Sequence, residues 1–218
     1  TYQLTTAGYT ALVVLMLALL LLACFIGNSV KQPKFSARQL AFSAMAIAAA
    51  FVTSEIKLFH LPFGGSITLE MLPLVIMGLR HGPKWGCLTG FVHGLLQMII
   101  GFSNVMYCPT LISQIGCILL DYLLAFSVLG LAPVFASLVK NNKKVGYILG
   151  SVCVCVLRFL CSFLSGWLLW AEYTPDGMTP AHYSLVYNGA YMLPDAIILA
   201  VVVGILSYAA PKIFWTEE

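Results

Sequence analysis

The chain has 218 residues, of which 61% are hydrophobic and only 9% are charged. Soluble domains average about 45–50% apolar and about 25% charged residues, and a fold of this size could not hide so much apolar surface from water. The lipid bilayer must therefore be part of its solvent, which excludes a soluble enzyme and a disordered chain. The balance of 11 Lys and Arg against 8 Asp and Glu also supplies no basic patch for nucleic acid.

Seven stretches are candidates for membrane-spanning helices, which need about 20 mostly apolar residues. They are residues 8–26, 40–59, 69–79, 86–100, 111–139, 145–170 and 183–208. The third and fourth are short and require tilting, a break or extension by their flanks. The first lacks the basic start and the cleavage site of a signal peptide, so we expect a retained helix. The predicted fold is an all-α integral membrane protein with seven spans.

Positive charges are concentrated on one side of this arrangement. If every span crosses once, nine of the 11 Lys and Arg residues share a side. These nine are Lys31, Lys34, Arg38, Arg80, Lys84, Lys140, Lys143, Lys144 and Lys212. The other side has only Lys57, and Arg158 lies within a span. The positive-inside rule therefore places the N-terminus outside and the C-terminus inside.

Three charged residues lie near the middle of predicted spans: Asp121, Arg158 and Asp195. A charge at this depth costs at least ~2.5–3.5 kcal/mol on insertion scales, so it requires a reason. One interpretation is a buried ion pair between Arg158 and one aspartate that fixes helix register. That pair leaves one carboxylate over. The other interpretation is a cage of two acids and one base for a ligand with a cationic portion.

The last span carries polar and aromatic side chains four residues apart on one helix face: Tyr183, Tyr187, Tyr191 and Asp195. Rings near span ends, such as Trp170, are also typical of the interfacial aromatic belt. Tyr187, Tyr191 and the flanking Asn188 lie deeper and favour a polar, aromatic cavity. Further candidates for its lining are Glu70, His93, Tyr122 and Ser162. For His93 we expect hydrogen bonding between helices, since no second metal ligand is suitably spaced.

The connection after the second span and two stripes of small residues complete the candidate features. Pro62 stops a helix and the glycines that follow permit a tight turn, so the connection is either a lid over the cavity or a plain connector. The candidate lid residues are Phe63, Gly64, Gly65 and Ser66. The small-residue stripes include Ala44, Ala48, Gly86, Gly90 and Gly94. Such stripes let helices approach closely, either within the chain or against a partner.

The seven cysteines are scattered, mostly within apolar runs. Their odd number and their spacing do not match a disulfide framework or a zinc site. We interpret them as small apolar packing residues and expect neither a metal site nor a cofactor.

Several short motifs carry a family resemblance over about residues 39–212. They are Leu-Pro-Phe-Gly-Gly-Ser-Ile-Thr at 61–68, Gly-Pro-Lys-Trp-Gly at 82–86, Leu-Asp-Tyr-Leu at 120–123, Phe-Leu-Ser-Gly at 163–166, Tyr-Ser-Leu-Val-Tyr-Asn-Gly at 183–189 and Tyr-Met-Leu-Pro at 191–194. In these motifs the chain resembles the thiamine-specific substrate-binding subunits (S components) of energy-coupling-factor (ECF) vitamin importers. The resemblance implies a six-helix substrate-binding bundle at 38–218. It does not cover residues 1–37, for which hydropathy and charge predict an extra transmembrane helix and a basic cytoplasmic linker. It also implies a bacterial cell membrane, a membrane-embedded coupling subunit and two cytoplasmic ATPases.

The resemblance assigns roles to individual residues. It implies that Asp121 binds an aminopyrimidine, with Tyr122 as its aromatic neighbour, and that Ala44 and Ala48 form the docking face for the coupling subunit. It places four more residues in the thiamine pocket: Arg158, Trp170, Tyr183 and Asn188. The chain departs from some members where Ser162 replaces a histidine and His93 replaces a tryptophan, and where its lid lacks a tryptophan. Asp195 is an additional acid.

Two other functional classes compete with a transport subunit that binds thiamine or a related compound. A stand-alone, ion-coupled transporter would use Asp121 or Asp195 as a titrating group, but the chain shows no obvious repeated halves. An intramembrane aspartyl protease would need these two acids to share a proton, which Arg158 nearby opposes. The absence of a Walker motif from the sequence assigns ATP hydrolysis to partner subunits.

Overall fold

The computed structural model describes residue 14, residues 36–60 and residues 65–215. Its main elements are α1 (Ala37–Glu55), β1 (Phe59–His60), β2 (Ser66–Ile67), α2 (Met71–His81), α3 (Pro83–Ile100), the single turn α4 (Phe102–Val105), the composite helix α5 (Leu111–Ala136), α6 (Lys143–Leu168) and α7 (Pro180–Ala209). Short 3₁₀ turns follow α6 at Ala171–Tyr173 and α7 at Pro211–Phe214. The first predicted span, 8–26, lies outside the described residues except for residue 14.

Polar caps explain where the long helices begin. Ser36, Asn142 and Thr179 each accept a hydrogen bond from a backbone N–H in the first turn of α1, α6 and α7, as good N-cap residues do. Gly82 separates α2 from α3 with a φ of 90°, a conformation that glycine adopts without strain. Pro83 then opens α3, where its missing N–H costs nothing.

The second and fourth predicted spans differ from the observed helices. The second span ends at Glu55 instead of residue 59, because Phe59 pairs with Ile67 in a short antiparallel β-hairpin. The fourth span is longer than predicted, since α3 begins at Pro83 and has 18 residues. Among the described helices, α1, α5, α6 and α7 are long and apolar enough to cross a membrane, and α2 is a shorter apolar helix.

Helix α5 changes its winding where it carries the predicted charged residue. Its α-helical start, Leu111–Cys117, passes into a π-helical segment, Ile118–Leu124, that contains Asp121 and Tyr122. A short 3₁₀ segment, Val128–Leu131, follows before the last turn. Extra residues in a helical turn re-aim side chains, and π segments are frequent at functional sites.

The glycine stripe of α3 packs inside the chain. A Cβ atom added to Gly90 would lie 2.3 Å from the backbone oxygen of Phe126, and one added to Gly94 would lie 2.7 Å from that of Tyr122. A Cβ atom added to Gly86 would lie 2.5 Å from the Cα atom of Gly78 and 2.9 Å from that of Gly130. The backbones of α3 and α5 therefore touch directly, which is how small residues stabilise helix pairs in lipid. By contrast, Ala44 and Ala48 on α1 are exposed.

The helices enclose one main apolar core and a smaller one. The main core joins α2, α5, α6 and α7 through fully buried side chains, including Leu74, Leu129, Ala132, Val154 and Val203. The smaller core surrounds the start of α5 and the end of α6 and includes Cys117, Leu120, Cys161 and Leu169. The polar residues described next lie between these two cores and the β-hairpin.

Candidate ligand-binding site

Asp121 is held at the point where α5 meets the end of α6. Its Oδ2 atom accepts a hydrogen bond of 2.6 Å from the Ser165 hydroxyl and one of 3.3 Å from the indole N–H of Trp170. The Cys117 thiol, one turn earlier on α5, donates to the same oxygen at 3.4 Å. Three donors on one oxygen fix the carboxylate, while Oδ1 has no hydrogen bond to the described residues.

Asn188 is tied to both α6 and its own helix. Its Nδ2 donates to the backbone oxygens of Ser184 at 2.9 Å and Ser162 at 3.3 Å, and its Oδ1 accepts a 2.8 Å hydrogen bond from the Tyr191 hydroxyl. Gly166 permits this approach, because a Cβ atom there would lie 2.3 Å from the Ser184 hydroxyl. The amide is thus oriented by the protein.

The tyrosines of α7 form a ladder that contacts Gly65, directly before β2. Adjacent ring centroids are 5.8 Å apart for Tyr183 and Tyr187 and 6.0 Å apart for Tyr187 and Tyr191. The Tyr187 hydroxyl accepts a 2.8 Å hydrogen bond from the backbone N–H of Gly65. The Tyr191 ring fills the space beside Gly65, where a Cβ atom would lie 2.7 Å from it. Of the predicted lid, Gly65 and Ser66 are described and Phe63 and Gly64 lie outside the described residues.

A second carboxylate, Glu70, binds side chains from two other helices. Its Oε1 accepts hydrogen bonds from His93 at 2.9 Å and from Gln97 on α3. Its Oε2 lies 3.4 Å from an Arg158 nitrogen on α6. His93, which is fully buried, therefore bonds between helices as expected.

Of the two interpretations of the charged residues within the spans, the ion pair between Arg158 and an aspartate is not formed among the described residues, where Arg158 pairs with Glu70. The Asp195 carboxylate instead accepts a 2.9 Å hydrogen bond from the backbone N–H of Thr68. Thr68 precedes Glu70 in the segment that leads from the hairpin into α2. Asp195 therefore fixes this segment to α7, and Glu70 fixes it to α3 and α6. The Arg158 guanidinium also stacks on Phe126, 4.3 Å from the ring centroid.

These groups adjoin one another around Tyr191. Asn188, which binds the Tyr191 hydroxyl, lies against α6 at Ser162, one turn from Arg158, and at Gly166, next to the Asp121 partner Ser165. The structure thus brings together three acids, one guanidinium and a tyrosine ladder. Tyr122 is turned towards the end of α3, where its hydroxyl donates to the backbone oxygen of Gly101 at 3.2 Å. Tyr183 and Ser162 are half-buried at the edge of the group.

Sequence reasoning did not single out Ser165, Cys117 and Phe126 as supports of the charged residues. Ser165 lies within the Phe-Leu-Ser-Gly motif at 163–166, and Cys117 precedes Asp121 by one helical turn. Those spacings could have suggested both contacts. The cation–π contact of Phe126 depends on the three-dimensional crossing of α5 and α6 and has no sequence signal.

Comparison with known proteins identifies relatives over most of the chain. Residues 40–215 match the family Thia_YuaJ, described as thiamine transporter protein. The thiamine transporter ThiT of Bacillus subtilis is 32% identical over 196 residues, covering 86% of this chain and 98% of that protein. ThiT of Lacticaseibacillus paracasei is 28% identical over 186 residues, covering 79% and 89%. The solved structure of ThiT from Listeria monocytogenes superposes with a TM-score of 0.67 at 27% identity, covering 82% of this chain and 97% of that one.

Proposed function

Since the chain belongs to the Thia_YuaJ family of thiamine transporter proteins, we propose that it is the substrate-binding membrane subunit of an ECF-type importer for thiamine or a close thiamine precursor or analogue. The family role is transport and not catalysis. The proposed setting is the bacterial plasma membrane, with seven spans, the N-terminus outside and the C-terminus inside. The energy source is ATP hydrolysed by two cytoplasmic partner subunits.

The observation that carries the ligand assignment is that the Asp121 partner Ser165 adjoins Gly166, against which Asn188 of α7 packs, and that Asn188 binds Tyr191 of the ladder. Thiamine joins an aminopyrimidine, which offers a donor–acceptor edge, to a permanently cationic thiazolium. The free Oδ1 of Asp121 suits that edge, because a hydrogen bond to a charged group is about twice as strong as a neutral one. Trp170, Tyr183 and Tyr187 supply ring faces for the cation, each contact being worth about 0.5–2 kcal/mol.

Binding is tested on the purified protein by isothermal titration calorimetry with thiamine and, as controls, with uncharged vitamins of similar size. Saturable binding of thiamine with a stoichiometry of one, and none of the neutral vitamins, supports the proposal. Tight binding of a neutral vitamin in preference to thiamine would overturn it.

Coupling to ATPases rests on the exposed face of α1. Ala44 and Ala48 are exposed on that helix, and a small-residue face can receive a partner helix closely. The test is uptake of labelled thiamine by cells that produce this chain, with ATP held constant and a protonophore added. Uptake that continues supports coupling to ATP, whereas uptake abolished by the protonophore would indicate a stand-alone, proton-coupled transporter.

A further inference from the structure

Glu70 and Arg158 form an ion pair within the proposed site. The contacts proposed above for the aminopyrimidine and the thiazolium do not involve this pair. The Glu70 side chain is 9% exposed and that of Arg158 is 16% exposed. Glu70 lies directly before α2, whereas Arg158 lies in the middle of α6. The pair therefore links the start of α2 to the middle of α6.

The positive charge of Arg158 opposes the binding of a cationic ligand. Arg158 lies one helical turn before Ser162 on α6, whose backbone oxygen accepts a hydrogen bond from Asn188 on the part of α7 that we propose for the ligand. An unpaired guanidinium at this place would repel a thiazolium, and repulsion between charges is strong where water is excluded. An acidic side chain must therefore balance the Arg158 charge if a cation is to bind tightly.

We propose that Glu70 is a specificity-determining residue, which neutralises Arg158 and so gives the site its preference for a cationic over an uncharged ligand. This inference rests on the proposed function. With Glu70 in place, Arg158 is balanced, and the charges of Asp121 and Asp195 remain available to attract the cation. Without it, one of those two acids has to balance Arg158 instead.

Glu70 and Arg158 are each held in place by contacts other than their ion pair. His93 and Gln97 both hold Oε1 from α3, so the carboxylate stays oriented when Arg158 is changed. Phe126 likewise holds the guanidinium from α5 by a cation–π contact, so Arg158 stays in place when Glu70 is changed. Each partner can therefore be replaced while the other keeps its position.

The test compares the affinities of two ligands of nearly the same shape. One is thiamine, and the other is its uncharged analogue in which a thiophene ring replaces the thiazolium. The ratio of the two dissociation constants is measured for the wild type, Glu70→Gln, Arg158→Gln, the double variant and, as a matched control, the exposed acid variant Glu172→Gln. The ratio does not depend on the fraction of folded protein, so a partial loss of fold leaves it interpretable.

We expect Glu70→Gln to reduce the preference for thiamine by roughly tenfold to hundredfold, since one uncompensated charge several ångströms from the cation is added. Arg158→Gln should keep or increase the preference, and the double variant should restore it to within about threefold of the wild type. Glu172→Gln should leave it unchanged. An unaltered ratio in Glu70→Gln, or a double variant as impaired as Glu70→Gln alone, would overturn the inference. Failure of the wild type to bind thiamine would instead overturn the proposed function.

Discussion

The hydroxyl of Tyr187 accepts a 2.8 Å hydrogen bond from the backbone N–H of Gly65, 122 residues away in the chain. This contact joins α7 to the loop that enters β2. One turn further along α7, Tyr191 packs against the same glycine, and one turn beyond that, Asp195 binds the backbone of Thr68. Residues 65–68 thus lie along three successive turns of α7.

Tyr187→Phe removes the hydrogen bond while keeping the ring of the ladder. A neutral hydrogen bond contributes about 0.5–1.5 kcal/mol, so the loop should open more often and thiamine should dissociate roughly twofold to tenfold faster. Stopped-flow tryptophan fluorescence measures the dissociation rate. Tyr208→Phe is the matched control, because this tyrosine is exposed at the other end of the same helix. Equal dissociation rates for Tyr187→Phe and the wild type would show that the loop does not limit release.

Gly90→Ala should destabilise the fold by overpacking α3 against α5. The methyl group of the alanine would lie 2.3 Å from the backbone oxygen of Phe126. The clash can be relieved only if α3 moves away from α5. Overpacking of this kind costs about 1–3 kcal/mol. Thermal unfolding in detergent, followed by tryptophan fluorescence, measures the loss.

The matched control for this prediction is Gly189→Ala on α7. A Cβ atom at Gly189 has nothing within 4 Å, and alanine favours a helix over glycine by about 0.8–1.0 kcal/mol in a helix interior. Its unfolding temperature should stay the same or rise. A Gly90→Ala protein as stable as Gly189→Ala would mean that α3 and α5 are not in backbone contact.

Orientation in the membrane is tested by labelling two exposed positions. Lys143 precedes the main body of α6 and Asp176 follows it, and both are exposed. In a background without native cysteines, a membrane-impermeant maleimide added to whole cells should label Asp176→Cys and leave Lys143→Cys unlabelled until the cells are opened. Labelling of both from outside would contradict a single crossing by α6.

The helical fold class could be predicted from the sequence because it depends on strong local signals. Long apolar runs define α5, α6 and α7, and charges within them mark Asp121, Arg158 and Asp195 in advance. Glu70 was harder to interpret, since it stands at the junction of a loop and a short helix, where periodicity does not show which way a side chain points. Its pairing with Arg158 depends on how α2 and α6 cross, and this is a tertiary property.

The end of α1 is a second feature that local sequence signals did not predict. Hydropathy continues through Leu58 and Phe59, so an apolar count extends the helix to residue 59. The chain instead leaves the helix after Glu55, and Phe59 pairs with Ile67 across a hairpin. A strand partner eight residues downstream competes with helix propensity, and pairing of that kind cannot be read from the run of residues that forms the helix.

Asp121→Asn separates the charge of this side chain from its shape. The amide oxygen of asparagine can still accept from Ser165 and Trp170, so the local structure and the unfolding temperature should change little. The aminopyrimidine loses a charge-assisted partner, which should weaken thiamine binding by about 1.5–3 kcal/mol, or roughly tenfold to a hundredfold. Isothermal titration calorimetry measures the dissociation constant.

Ser165→Ala is the companion variant for Asp121→Asn, because it removes the 2.6 Å hydrogen bond to the carboxylate and leaves the charge in place. The carboxylate is then less well oriented but still ionised next to the ligand. We therefore expect a smaller loss of affinity than in Asp121→Asn, within about tenfold. Only one hydrogen bond to the carboxylate is lost, and those from Trp170 and Cys117 remain. If Ser165→Ala impaired binding as much as Asp121→Asn, orientation and not charge would be what Asp121 contributes. If Asp121→Asn left the dissociation constant unchanged, the aminopyrimidine would have to bind elsewhere on the tyrosine ladder.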